Sequence, residues 1–296
     1  MVVLKALDPT ATAAAVSAIV ALAVSVMATF LSPMVKYRFD QRLESRKLEL
    51  TYRAEQSKAL RDRIAHHKGS VLSAVEELND RIRNYHDKAE APTWLGNSTG
   101  YYERTFAFRI ISVWYVAERF TREAIYIDSA VALPGDSEFV RAMRLNLEVW
   151  SSGSLFDGLP YSGASEEDHF FRNRITSIVE EFSDDMLSRS LTWTQFQQTL
   201  DDGNSRFAPV FGYLDKLERD PAQLKYQRLV AVHLVGAATL NSFGYDYQRM
   251  SPEHLKRIAA RCGPEVRANL RQLVLRLHLQ DSVGFRELVE VLGTDV

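Results

Sequence analysis

One cysteine, Cys262, is all that the 296 residues contain. An internal disulfide framework is therefore excluded, and the single thiol fits a reducing compartment. The familiar catalytic signatures are missing as well. There is no G-x-x-x-x-G-K-S/T phosphate loop, no G-x-S-x-G elbow, no H-E-x-x-H, no paired cysteine and no G-x-G-x-x-G after a strand pattern. No cofactor and no metal site is expected. His66 and His67 are neighbours, so on a helix they point about 100° apart and make a poor metal pair. Net charge is small, at −2, and glycine and proline are absent from Lys36 to Arg63.

Charge is also absent from Pro9 to Val35, and Lys36, Arg38, Arg42, Arg46 and Lys47 follow at once. Val16, Ile19, Val20, Leu22, Val24, Val26, Met27, Phe30 and Leu31 are separated in this run by Ala, Ser and Thr. At about 1.5 Å per residue it is long enough for the roughly 30 Å hydrocarbon core of a bilayer, which predicts a transmembrane helix over 11–35. The basic flank predicts an N-terminus outside and the bulk of the chain in the cytoplasm. A cleaved signal peptide, with Val26-Met27-Ala28 at the cut, is the competing reading; the weak n-region and the basic flank oppose it. Ala13, Ser17, Ala21, Ser25 and Thr29 recur every four residues and form a small-residue ridge suited to close contact between two such helices.

A long charged stalk helix is predicted over 36–90. Leu43, Leu50, Ile64, Val71, Leu78 and Tyr85 return at a seven-residue step broken only by Ser57, so the stalk either pairs with another chain or packs on its own domain. Pro33 is expected to kink its start. The stretch from Lys36 to Arg63 carries net +4, Ile64 to Ser251 carries −7, and Pro252 to Leu279 carries +4. A basic stalk suits an anionic lipid leaflet. The acidic middle and the lack of a reading motif argue against nucleic acid.

Short breaks divide the remainder into helices. Ala91-Pro92 to Gly100 reads as a loop, Pro134-Gly135 as a stop, Asp220-Pro221 and Ser251-Pro252 as starts, and Gly263-Pro264 as an end followed by a start. Ser165 to Asp168 reads as a cap for a helix through Phe171, Ile175 and Ile178, and Thr192 to Gln195 as a capping box. Leu273, Leu275, Leu277 and Leu279 alternate like a strand but have nothing to pair with. The fold class is all-α: a short N-terminus over 1–10, the membrane helix, the stalk, a helical domain over 91–250 and a small helical unit over 251–296. The loop from Ser151 to Ser165 is the one segment rich in small residues, read as a connector or a partner-binding loop. His169 lies near Glu166 and Asp168, which suits acid–base or metal chemistry, although carboxylates at a helix start are favoured by the dipole alone.

The most suggestive polar set is Glu118, Arg122, Glu123 and Asp128 on the aromatic helix, with Phe171-Arg172 and Glu180 beyond it. Glu118–Arg122 and Arg119–Glu123 are four apart and suit intrahelical pairs; an Arg172 reaching Glu118 would tie two helices together. Through these residues, with Ile178, the chain resembles an uncharacterised family of bacterial single-pass proteins whose membrane helix and charged stalk precede a helical domain. Asn173, Arg174 and Ile175 depart from that family's Gly-Glu-Gln. The resemblance implies an inner-membrane location and brings no activity. Two functions follow from the sequence. One is an anchored interaction or scaffold protein of a stress or defence system, working by self-association and an unidentified cytoplasmic partner. The other is an enzyme with an unfamiliar carboxylate–Arg or His site.

Overall fold

The computed structural model describes residues 9–88, 90–96, 100–124, 133–164, 167–184, 189–203 and 205–293, with eleven α-helices among them. The chain divides into two compact units, 1–56 and 57–296.

The first unit is helical throughout its described residues. Helix α1 (Pro9–Val26) passes into a π-helical segment (Met27–Leu31) and then into α2 (Ser32–Asp87). Pro33 has no N–H to give an i−4 partner, and a widened π turn just before it takes up that mismatch. Thr29 turns its hydroxyl onto its own helix, donating to the Ser25 carbonyl at 2.7 Å. The bilayer-spanning helix expected over 11–35 is corrected here: among the described residues no helix is long and apolar enough to cross a membrane. The apolar run is split, because α1 stops after 18 residues. That length gives about 27 Å of α-helix, short of the roughly 30 Å that a hydrocarbon core needs. Its composition is weak too, with Pro9, Thr10 and Thr12 at the start and alanine as the commonest residue. The single-pass reading of the chain falls with it.

The second unit is built around a helix that is buried on every side. In α8 (Leu224–Phe243) each residue from Tyr226 to Asn241 is buried, as expected of a helix that is apolar all round. Helices α3 (Tyr101–Ala124), α4 (Pro134–Ser151), α8 and α11 (Val283–Gly293) pack in succession, each on the next. Trp114, Trp150 and Phe170 meet edge to face at the α3–α4 contact, with the two indoles 5.4 Å apart. The later part of α2 packs on this same unit through Leu60, Val71, Val75, Leu78, Ile82 and Tyr85, all buried, and the Tyr85 hydroxyl donates to the Leu217 carbonyl at 2.8 Å. Leu43 and Leu50, on the same seven-residue step in the first unit, are exposed.

Helix ends follow local chemistry at most breaks. Thr192 caps α6 (Trp193–Asp201) through a reciprocal box with Gln195. Ser251 accepts from the His254 N–H at the start of α9 (Pro252–Ala259), and Pro264 opens α10 (Pro264–Arg276) after Gly263. Leu273 and Leu275 lie within α10, so the leucine alternation is not a strand. The cap expected at Ser165 to Asp168 does not start a helix; Ser165 and Glu166 lie outside the described residues, and α5 (Arg172–Glu181) begins only after Phe171. Residues 167 and 168 bend, Phe171 is extended, and the Phe170 N–H is held on the Trp150 carbonyl at 3.1 Å. β1 (Ser183–Asp184) and β2 (Arg189–Ser190) form a two-residue antiparallel ladder that no pattern announced. α7 (Ala208–Leu214) completes the set.

Candidate functional site

Glu118 is where the polar set converges. α3 buries Phe106, Ile110, Val113, Trp114, Ala117 and Phe120, and Glu118 sits on the margin of that face with only 6% of its surface exposed. α5 crosses this margin with Arg172, Thr176 and Glu180, which are four apart and so share one face of the helix. Arg122 Nε donates to Glu118 Oε1 at 3.1 Å, and its other end reaches Glu180 Oε1 at 3.3 Å. Arg172 donates to Glu118 Oε2 from across the helix contact. Thr176 Oγ1 lies 3.5 Å from Glu118 Oε1, a weak contact that sequence reasoning did not single out.

A second carboxylate, Glu123, gathers another set one turn on. Arg119 Nε donates to Oε1 at 3.2 Å, while Arg63 Nη1 at 3.1 Å and His67 Nε2 at 2.9 Å share Oε2. Burial alone raises the Glu123 pKa, but the hydrogen bonds from His67 and Arg119 and the Arg63 charge outweigh it and hold the carboxyl below its usual value. Arg119 also donates to the Tyr115 hydroxyl at 2.9 Å. Asp128 lies outside the described residues.

A cleft of about 330 Å³ opens beside these groups, lined by Tyr115, Glu118, Arg122, Glu123, Glu180 and Asp184 among others. The room for a ligand is there. Each of the four oxygens of Glu118 and Glu123 accepts at least one hydrogen bond, from arginine, threonine or histidine. Two hydroxyls stand in the cleft wall: Ser183 donates to the Val179 carbonyl at 3.0 Å, and Tyr115 accepts from Arg119. The set as folded clamps α5 and α2 onto α3.

The other histidines are placed differently. His169 is buried edge-on against Tyr161 and Phe171. His66 meets His67 edge to face at 4.8 Å. Among the described residues no group of three or more His, Cys, Asp or Glu is arranged to hold a metal.

Two buried polar features of α8 escaped the sequence reading. Arg228 is fully buried and donates to the carbonyls of Asp168, Val149 and Ser152 at 2.6, 2.6 and 3.1 Å, with its guanidinium 4.6 Å above the Phe156 ring. Desolvation lowers its pKa to about 10. His233 stacks on His86 of α2 at 5.7 Å, both buried, and neither nitrogen of His233 has a partner. Desolvation dominates again, pushing His86 down to about 3 and His233 well below the ordinary histidine value. The signal was available: Arg228 and His233 are the two basic residues between Leu224 and Leu240 apart from Lys225, in an otherwise apolar run.

Comparison with known proteins finds no matching family model, no matching curated protein and no matching solved structure.

Proposed function

We propose that this chain is an interaction or scaffold protein whose N-terminal helical unit binds a second copy of itself. One observation carries the reading. Val16, Ile19, Val20, Leu22, Val24, Val26 and Met27 of the first unit are each at least half exposed, and Tyr37, Phe39, Leu48 and Leu50 add to them. An apolar surface that runs along a whole helix is costly in water, at about 25 cal/mol per Å², and marks a contact surface. Ala13, Ser17, Ala21 and Ser25 are also exposed, and they offer a line along which a second α1 could approach closely.

Crosslinking tests it. With Cys262 replaced by Ser, a cysteine at Ala21 should join two copies through a short bis-maleimide, and one at exposed Glu218 should not. Absence of the crosslinked dimer from the Ala21 cysteine would overturn the reading.

A further inference from the structure

α1, the π-helical segment and α2 follow one another without a break, so whichever way one α1 lies on another, the α2 helices that continue from them must lie the same way. Charges at the start of α2 therefore bear on the α1 contact.

Lys36, Phe39, Leu43, Arg46, Leu50 and Arg53 alternate in steps of three and four, the spacing of a coiled-coil seam, and all six are exposed. In a parallel pair each seam residue packs on its own counterpart. Phe39, Leu43 and Leu50 would gain from that, but Lys36, Arg46 and Arg53 stand among them and would each meet a like charge. The flanks repeat the conflict, because in a parallel pair a residue beside the seam faces the one five positions on, which sets Arg42 against Lys47. Glu49 pairs with Arg53 at 2.6 Å along its own helix and relieves that position alone.

An antiparallel pair removes the conflict. The exposed apolar residues of α1 run from Val16 to Met27, so mutual cover centres near Ala21, with Val16 toward Met27 of the other copy and Ile19 toward its Val24. At about 1.5 Å per residue the two Lys36 ammonium groups are then roughly 45 Å apart, several times the Debye length of about 8 Å at physiological salt. Given the self-association proposed above, we infer that two copies pair through α1 in antiparallel orientation, crossing near Ala21, with the basic starts of their α2 helices pointing apart.

Cysteine crosslinking separates the orientations. Ala14 and Ala28 are exposed, seven residues either side of Ala21 and so on its face of the helix. In the Cys262→Ser background, full chains carrying Ala14→Cys and Ala28→Cys, co-expressed with tags of different size, should join through a short bis-maleimide into a mixed dimer. Either chain alone should stay at the mass of one copy, since its two cysteines would lie about 21 Å apart along the axis. The Ala21→Cys chain crosslinks to itself in both orientations. Its failure to do so would overturn the self-association and the orientation together. Crosslinking at Ala21 with self-crosslinking of the Ala14→Cys chain, or without the mixed dimer, would overturn the antiparallel orientation alone.

Discussion

Removing the arginines that hold Glu118 should reveal a strong coupling between them. Arg172→Ala takes away one charge-assisted hydrogen bond, a kind worth about 1.5–3 kcal/mol. Arg172 is 45% exposed and Arg122 Nε still serves Oε1. Screening and this second donor bring the expected loss to about 1–2 kcal/mol. Arg122→Ala alone should cost a similar amount, since Arg172 remains on Oε2. The double variant leaves a carboxylate that is 92% buried, its side-chain exposure being 8%, with only the weak Thr176 contact. Stranding a buried charge typically costs about 3–5 kcal/mol. The double loss should therefore exceed the sum of the singles, with a coupling energy of about 1 kcal/mol or more. At roughly 2–4 °C per kcal/mol for a domain of this size, melting should fall by at most about 8 °C in either single variant and by about 6–20 °C in the double. Glu118→Gln placed in the double variant should recover part of the loss. The measurement is a thermal or urea denaturation cycle on the full chain. Additive losses, or a melting temperature that rises when the arginines are removed, would refute the clamp and favour a group held at a cost for chemistry.

Acid should destabilise the second unit through the stacked histidines. Unfolded histidine binds a proton near pH 6.5, whereas folded His86 resists until about 3 and His233 below its ordinary range, so the unfolded state holds more protons between these limits. Stability present above about pH 6.5 is lost as pH falls, by about 2 kcal/mol through His86 at about pH 5, with His233 acting in the same direction; urea denaturation across this range should show it, and His86→Phe should flatten the slope. Arg228→Met should leave the Asp168, Val149 and Ser152 carbonyls unserved and cost at least about 3 kcal/mol, at about 1 or more for each, in the same assay. Gly284→Ala should cost about 1–3 kcal/mol, because its Cβ would stand 2.4 Å from the Ala238 carbonyl and 2.6 Å from Asn241 Cβ where α11 crosses α8; a wild-type midpoint would contradict that contact.

Much of the helical layout was legible because its punctuation is local. The capping box at Thr192, the Ser251-Pro252 start and the Gly263-Pro264 junction are each set by a few neighbouring residues. The start of α5 differs from the expected cap because a tertiary contact commits the Phe170 N–H to the Trp150 carbonyl, so that the helix begins only after Phe171. The Glu118–Arg122 pair could be read from its four-residue spacing, but nothing in the spacing brings Thr176 or His67 to these carboxylates, since those contacts depend on how helices dock. The run from Pro9 to Val35 reads as one apolar stretch in sequence. Hydrogen bonding divides it at Val26, a change of phase that hydropathy does not register.

Sedimentation equilibrium of the full chain tests the central claim most directly. Ile19, Leu22 and Val26 are exposed and spaced i, i+3 and i+7, so replacing all three with Gln removes one apolar face of α1 without touching the core of the second unit. The account predicts a wild-type mass above the 33.7 kDa of one chain, rising with concentration, and a variant that sediments at 33.7 kDa with its melting temperature unchanged. A wild-type chain that stays at the mass of one copy at every concentration, or a triple variant as heavy as the wild type, would contradict it.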